Sequence, residues 1–136
     1  MSSTIKNGAK VLPELGVVEN ITSAADGVYT AQIAQDATYK KVVSVTSAGA
    51  TGWVVLPKAV AELIGRVIYL VVGANGYELV TPSGSNDTVN GVDCDGTNQL
   101  DVAASTTLRC TQVTATGWLA EQIAATAITV VAPDND

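Results

Sequence analysis

Short runs rich in Val, Ile and Thr alternate with Gly, Asn, Asp and Ser along most of this chain. β-branched residues favour strands, and the residues between the runs favour turns. The pattern therefore predicts an all-β fold, which we expect to be an antiparallel sandwich or barrel of short strands with one short helical turn. The predicted strands cover residues 28–33, 41–46, 53–56, 66–72, 77–81, 99–102, 107–113, 118–122 and 127–131.

Segments between these strands carry distinct turn signals. Residues 73–76 contain an Asn-Gly pair, which predicts a hairpin between the two flanking strands. Residues 57–64 begin with Pro and are followed by Gly65, which predicts the short helical turn. Residues 83–98 are dense in turn-forming residues, so we expect a long surface loop there, with Val89 entering the core.

The composition predicts one domain that hides part of its surface in an assembly. A length of 136 residues with 47% hydrophobic residues supports a single β-rich domain over 1–136. Only 15% of the residues are charged, compared with about a quarter in typical soluble proteins, which indicates buried subunit interfaces and a homo-oligomer. We expect a polar N-terminal arm at about 1–10 and an apolar C-terminal strand at about 123–132 that pairs in its own sheet or across subunits.

Charge and residue usage exclude several classes of function. The formal net charge is −6, so a nucleic-acid partner is not expected, because phosphate binding requires clustered Lys and Arg. The adjacent pair Lys40-Lys41 is either a solvated strand end or an anion site. The chain has no His, which removes the commonest general base and the usual zinc ligand. We therefore predict a protein that is not an enzyme, with no catalytic, cofactor-binding or metal-binding residues.

One loop contains most of the residues that could bind a metal ion. Side-chain oxygens of the kind that calcium prefers occur at Asp87, Asn90, Asp93, Asp95 and Asn98. Their spacing does not match an EF-hand, and Asp and Asn commonly end strands without any ligand. Nothing in the sequence marks the pair Asp93 and Asp95 as the facing carboxylates of a glycosidase.

The chain has two Cys residues, Cys94 and Cys110, which either form a disulfide with each other or remain free thiols. They lack the CxxC spacing of redox and zinc sites. A bridge between them would close a loop of about 15 residues and contribute on the order of 3 kcal/mol. Alternatively, Cys110 is a small buried thiol within a strand.

A repeated tetrapeptide contains both Trp residues. Ala-Thr-Gly-Trp occurs at 50–53 and again at 115–118, each time after a predicted strand. We interpret this echo as two copies of one hairpin. The rings either stack on sugar, as in carbohydrate-binding modules, or cap the core at a hairpin corner.

The N-terminal residues carry no targeting signal. Residues 1–8 lack the apolar segment of a secretion signal, and no apolar run approaches the roughly 18 residues that span a bilayer. We therefore expect a soluble protein with no membrane partner. The Asn-x-Thr patterns at 20–22 and 86–88 predict no glycosylation without such a signal.

Several segments of the chain occur in an order that resembles a known module. An apolar strand ends in Leu56-Pro57, a Gly-led strand follows, Thr-Val-Asn-Gly occupies 88–91, and a last strand leads to Thr-Gly-Trp at 116–118. This order resembles a β-rich module of tailed-bacteriophage structural proteins, including head decoration (cement), head-fibre and tail-fibre proteins. The resemblance covers residues 53–122, with Ser85-Asn86 lengthening the turn.

The resemblance implies a trimeric assembly on a virion and supplies no catalytic residues. Our first hypothesis is a non-enzymatic viral structural protein that binds the major capsid protein and stabilises a bacteriophage capsid as a trimer on its surface. The alternative is a tail-fibre or receptor-binding module that recognises host surface glycan through Trp53, Trp118 or the loop at 83–98. A third hypothesis is a host-encoded module that binds carbohydrate or calcium.

Overall fold

The computed structural model describes residues 18–124, which form ten strands in two sheets. Among these residues the one helical element is a 3-10 turn over Ala61–Leu63. The all-β prediction is therefore confirmed. The strands are β1 (Val18–Thr22), β2 (Lys40–Thr46), β3 (Trp53–Val55), β4 (Val67–Val72), β5 (Tyr77–Val80), β6 (Thr88–Val89), β7 (Val92–Asp93), β8 (Leu100–Val102), β9 (Thr107–Gln112) and β10 (Gly117–Ala124).

The chain winds between the two sheets. The larger sheet has seven strands in the order β1-β2-β4-β9-β10-β6-β7, and the smaller sheet has three in the order β3-β5-β8. Successive coils place β1, β2 and β4 parallel in the larger sheet and β3 and β5 parallel in the smaller one. Single bridges from Ala24 to Trp53 and from Gln32 to Val55 place the segment before β2 beside β3. The arrangement is solenoid-like, and the predicted antiparallel sandwich or barrel is wrong.

The connections between strands explain this difference. The inward and outward alternation of side chains is the same in parallel and antiparallel strands, so the hydrophobic pattern does not distinguish them. From β2 to β5 each connection crosses to the other sheet instead of turning back on the same one. Antiparallel pairs form later in the chain, where β8 returns along β5, β9 along β4 and β10 along β9.

The hydrophobic core lies between the two sheets. Side chains from the larger sheet (Val43, Leu70, Cys110) and from the smaller sheet (Val54, Leu79) have no solvent exposure. Burying a large aliphatic side chain contributes about 1.5–3 kcal/mol, so this contact between the sheets is the main stabilising feature of the fold.

Most predicted strands coincide with observed ones. The predictions at 41–46, 53–56, 66–72, 77–81, 99–102, 107–113 and 118–122 correspond to β2, β3, β4, β5, β8, β9 and β10. The prediction at 28–33 is wrong, because this segment forms no strand although Ala31 and Ile33 are buried. The hydrophobic pattern did not indicate β1, β6 or β7. Outside the described residues lie the predicted arm at about 1–10, the strand at 127–131 and most of the apolar segment at about 123–132.

The hairpin predicted at 73–76 is also wrong, because β4 and β5 lie in different sheets. The Asn-Gly pair in this connection has no positive φ angle. Gly76 is required there for another reason: a Cβ atom on it would overlap the backbone carbonyl oxygen of Val102 in β8. The Asn-Gly hairpin of this fold instead joins β6 to β7, where Asn90 and Gly91 have φ angles of 53° and 82°.

The helical turn predicted over 57–64 is shorter than expected. The 3-10 turn covers Ala61–Leu63, and the residue before it is extended, with a φ of −135°. The N–H of Ala59 donates to the side chain of Asp87 and not to a helical carbonyl. Gly65 follows the turn with a φ of +101°, in agreement with its predicted role as the terminating residue.

Candidate functional site

Both Trp rings lie inside the protein. Trp53 is 4% exposed and Trp118 is 1% exposed. Trp53 packs edge-on against Tyr29, with ring centroids 5.2 Å apart, and its Nε1–H donates to Glu78 over 2.9 Å. The interpretation that the rings cap the core is therefore confirmed, and the hypothesis that they present a sugar-stacking surface is wrong.

The repeated tetrapeptide forms a hairpin at one of its two positions. The copy at 115–118 joins the antiparallel strands β9 and β10, whereas the copy at 50–53 leads from the larger sheet into the smaller one. The glycines have the same function in both copies. A Cβ atom on Gly52 would overlap the Ser23 side chain, and one on Gly117 would overlap Oγ1 of Thr114. The echo therefore marks two glycines in tight contact with a neighbouring side chain, each directly before a buried Trp, and not two hairpins.

A buried polar cluster joins the 3-10 turn to the larger sheet. Arg66 is 1% exposed, and its guanidinium carbon lies 4.9 Å from the centroid of the Trp118 ring. Its Nε donates to Oε1 of Gln112 over 2.9 Å, and a terminal nitrogen donates to the carbonyl of Lys58 over 2.7 Å. The amide of Gln112 in turn donates to the carbonyl of Val60. These donors satisfy two main-chain carbonyls in the segment that leads into the 3-10 turn, so the cluster is a structural one.

Asp87 is a second charged side chain in the interior, with no solvent exposure. Its Oδ2 accepts the Ala59 N–H over 2.8 Å, while Oδ1 has no hydrogen-bond partner among residues 18–124 and lies 4.0 Å from Nζ of Lys58. Burial raises the pKa of this carboxyl, against the opposing effects of the Ala59 hydrogen bond and of the charges on Lys58 and Arg66. Because the carboxyl is closed to solvent, it is not placed to contact a substrate.

The raised pKa of Asp87 predicts a specific pH dependence. Because the folded state takes up a proton at a higher pH than the unfolded state, protonation stabilises the fold. We expect the unfolding free energy of the wild type to rise relative to that of Asp87→Asn as the pH falls through the folded-state pKa. The difference should level off below the ordinary carboxyl pKa of 3.8. Each unit of pKa difference corresponds to about 1.4 kcal/mol.

Urea unfolding at several pH values between about 3.5 and 7 measures this difference. Asp101→Asn, which removes an exposed carboxylate on β8, controls for the loss of one negative charge. A wild type that loses stability relative to Asp87→Asn on acidification would show that Asp87 is held in its ionised form.

The segment at 83–98, which contains the candidate calcium ligands, forms hydrogen bonds between its own residues. Oδ1 of Asp93 accepts the N–H of Asp95 over 3.2 Å, and the Asn98 amide donates to the Asp93 carbonyl over 3.1 Å. The Tyr29 hydroxyl donates to the Asp95 carbonyl. Residues 18–124 contain no group of three or more Asp, Glu, Cys or His side chains placed to hold an ion. The candidate calcium ligands are therefore not brought together, whereas the expected burial of Val89 is confirmed by its 2% exposure.

Cys94 and Cys110 are free thiols, and both are buried. Burial raises the pKa of Cys94, and it raises the pKa of Cys110 to about 12. Since the thiolate is the reactive form, neither residue is suited to nucleophilic chemistry. The alternative of a buried thiol at Cys110 is confirmed, and the bridge is absent.

Lys41 is a nearly buried cation, with 9% exposure. Its Nζ lies 3.0 Å from a carboxylate oxygen of Glu19 and 2.7 Å from one of Asp36. Two carboxylates neutralise this charge, so Lys41 is neither an anion site nor a solvated strand end, and both interpretations are wrong for it. Lys40 is exposed, as expected for a solvated strand end. The strand alternation could have shown this, because Lys41 has the same inward orientation as Val43.

Two clefts in the described surface each lack a pair of acidic and basic side chains. A cleft of about 330 Å³ lies beside Gln32, Pro57 and Lys58, and one of about 140 Å³ lies between Asp101 and Gln122. Ligand sites typically combine an apolar wall with several converging polar groups. Each of these clefts has a single charged residue, Lys58 or Asp101, so neither pairs an acid with a base.

One face of the larger sheet carries apolar side chains exposed to solvent. We call the side chains of β1, β2, β4, β9 and β10 that point away from the core the outer face. On it, Val18, Val42, Val71 and Leu119 are between 37% and 47% exposed. Val18 and Val42 are direct neighbours across β1 and β2, so these apolar side chains are partly clustered and the outer face is a candidate contact surface.

Comparisons of the chain with protein-family models, with curated proteins and with solved structures found no match. Within residues 18–124, no helix has the length and apolar character needed to cross a membrane. The geometry of the residues themselves is therefore the basis for a functional proposal.

Proposed function

We propose that this chain is a non-enzymatic structural protein of a tailed bacteriophage. In this proposal it binds the major capsid protein at the virion surface and stabilises the capsid as a trimer. The buried charged groups support a packing role, because Arg66 and Lys41 bond to other parts of the chain and Asp87 is closed to solvent. Such a role requires extensive contacts between subunits and no reactive groups.

The observation that carries the proposal is the position of the two phage-like motifs. Thr-Val-Asn-Gly at 88–91 and Thr-Gly-Trp at 116–118 are distant in sequence but adjacent in the fold. β6 pairs with β10 in parallel, with Thr88 opposite Gly117 and Val89 opposite Trp118. Two of the motifs that carry the resemblance therefore form one structural unit, which we call the motif unit.

Three residues of the motif unit, Asn90, Gly91 and Gly117, have identifiable physical roles in this chain. The Asn90 side chain bonds to both the N–H and the carbonyl of Ala120, over 2.8 Å and 3.3 Å. Gly91 adopts a positive φ angle, which glycine tolerates without strain. A Cβ atom at Gly117 would overlap Oγ1 of Thr114, so a side chain does not fit there. The contact between the two motifs is the structural feature that supports the proposal.

Cryo-electron microscopy of the phage particle that contains this chain tests the proposal. We expect density for three copies of the chain at positions on the capsid surface, in contact with the major capsid protein. Density on the tail alone would contradict the proposal and favour the tail-fibre alternative. The absence of the chain from the particle would contradict both.

A further inference from the structure

The outer face has the chemical character of a protein interface. In register across neighbouring strands, Val18 lies beside Val42, which lies beside Tyr69. One step along the sheet, Val71 lies between Ser44 and Thr107. These side chains are β-branched, aromatic or small, so they lose little conformational entropy when another surface covers them.

The charge on the outer face differs from that of the whole chain. The chain has a net charge of −6. The outward positions of the five strands carry two positive residues, Lys40 and Arg109, and one negative residue, Glu121. Arg109 and Glu121 pair on adjacent strands at 3.0 Å. Two copies that meet through this face therefore avoid the repulsion between acidic surfaces that would oppose contact elsewhere.

The outer face is also large enough for a specific contact. Five strands spaced about 4.8 Å apart, each about six residues long at about 3.3 Å per residue, span roughly 24 Å by 20 Å. Two such faces in contact would bury on the order of 1,000 Å², which is the lower limit for a specific interface.

We propose that the outer face is the surface through which copies of this chain bind one another. The occupant is a second copy, because the face is nearly neutral on an acidic chain and has the area that a self-contact requires. A contact of this face with itself is two-fold and closes at two copies. The inference therefore goes beyond the proposed function: it pairs copies of the chain and does not by itself build the proposed trimer.

The test replaces two central apolar residues of the outer face with charged ones. In the variant Val42→Lys with Val71→Lys, each copy would have to bury two unpaired ammonium groups, so self-association should weaken on the order of 100-fold or more. Light-scattering mass and sedimentation measured over a range of concentrations give the dissociation constants. Circular dichroism of the variant shows whether its strands remain folded.

A matched control uses the same residue type outside the outer face. Val28, in the loop after β1, is 39% exposed, compared with 37% for Val42. Val28→Lys should assemble as the wild type does. If Val28→Lys dissociates the assembly and the double variant does not, the interface lies elsewhere and the inference is overturned.

The remaining outcomes separate this inference from the proposed function. A wild type that is an oligomer other than a trimer, dissociated by the double variant, supports the interface and contradicts the proposed stoichiometry. A wild type that stays monomeric at all concentrations overturns the inference. In that case a large loss of thermal stability in the double variant would assign the face to a terminal segment of the same chain, at 1–17 or 125–136.

Discussion

Replacing Trp118 with Ala should lower the unfolding free energy by about 4 kcal/mol. The ring is 1% exposed and packs against the guanidinium of Arg66 on one side. Its removal would leave a cavity between β10 and the polar cluster, and Arg66 would lose the aromatic face that covers its charge. Urea unfolding followed by circular dichroism measures the loss without relying on Trp fluorescence.

The variant Trp118→Phe distinguishes the loss of packing from the loss of a hydrogen bond. Nε1 of Trp118 has no hydrogen-bond partner among the described residues, whereas Nε1 of Trp53 donates to Glu78. Phe at position 118 retains an aromatic face and removes an unpaired polar group, so we expect a loss of only about 1 kcal/mol. Trp53→Phe should cost more. Equal losses for Trp118→Phe and Trp118→Ala would show that the indole N–H of Trp118 is bonded after all.

Replacing Gly76 with Ala should cost about 3 kcal/mol, because the new methyl group overlaps main-chain atoms. The methyl would meet the carbonyl oxygen of Val102 and the backbone of Ala103, neither of which is the end of a flexible side chain. Relief of the overlap requires β8 to move away from β5, which breaks the antiparallel pairing of the smaller sheet. Thermal and urea unfolding measure the effect.

Gly73→Ala is the matched control for this prediction. Gly73 lies in the same connection, and a Cβ atom on it would have no neighbour within 4 Å. Its stability should stay within about 1 kcal/mol of the wild type, with a small gain from the reduced entropy of the unfolded chain. If both variants were equally destabilised, the cost would arise from the flexibility of the connection and not from its contact with β8.

The local structure of this chain was largely predictable, but the pairing of its strands was not. Runs such as 41–46 and 107–113 contain several β-branched residues, and both form strands. The segment at 28–33 has a similar composition but makes only isolated bonds, with Ala31 and Ile33 bonding to Val55. A run forms a strand only where the fold places another strand beside it. The composition of the run does not show which neighbour it will have.

The buried polar residues were missed for a different reason. Composition treats Arg66, Lys41 and Gln112 as surface residues, because such side chains are rarely buried. The period-two alternation of the strands does indicate that these side chains point inward. Arg66 has the same orientation as Ile68, and Gln112 the same as Cys110. An inward position in a strand is therefore a usable signal for a buried polar group, although its bonding partners come from distant parts of the chain.

The way in which the winding ends has a consequence for how copies of this chain can meet. The last turn of a coil of parallel strands has unpaired backbone N–H and C=O groups at its edge. These groups could pair with a strand of another molecule. Here the final turn, β4 and β5, is closed by the antiparallel strands β9 and β8. β8 is only three residues long and carries the exposed Asp101, which discourages further addition. Residues 18–124 thus contain their own terminating cap, which opposes the growth of filaments through strand addition at β8.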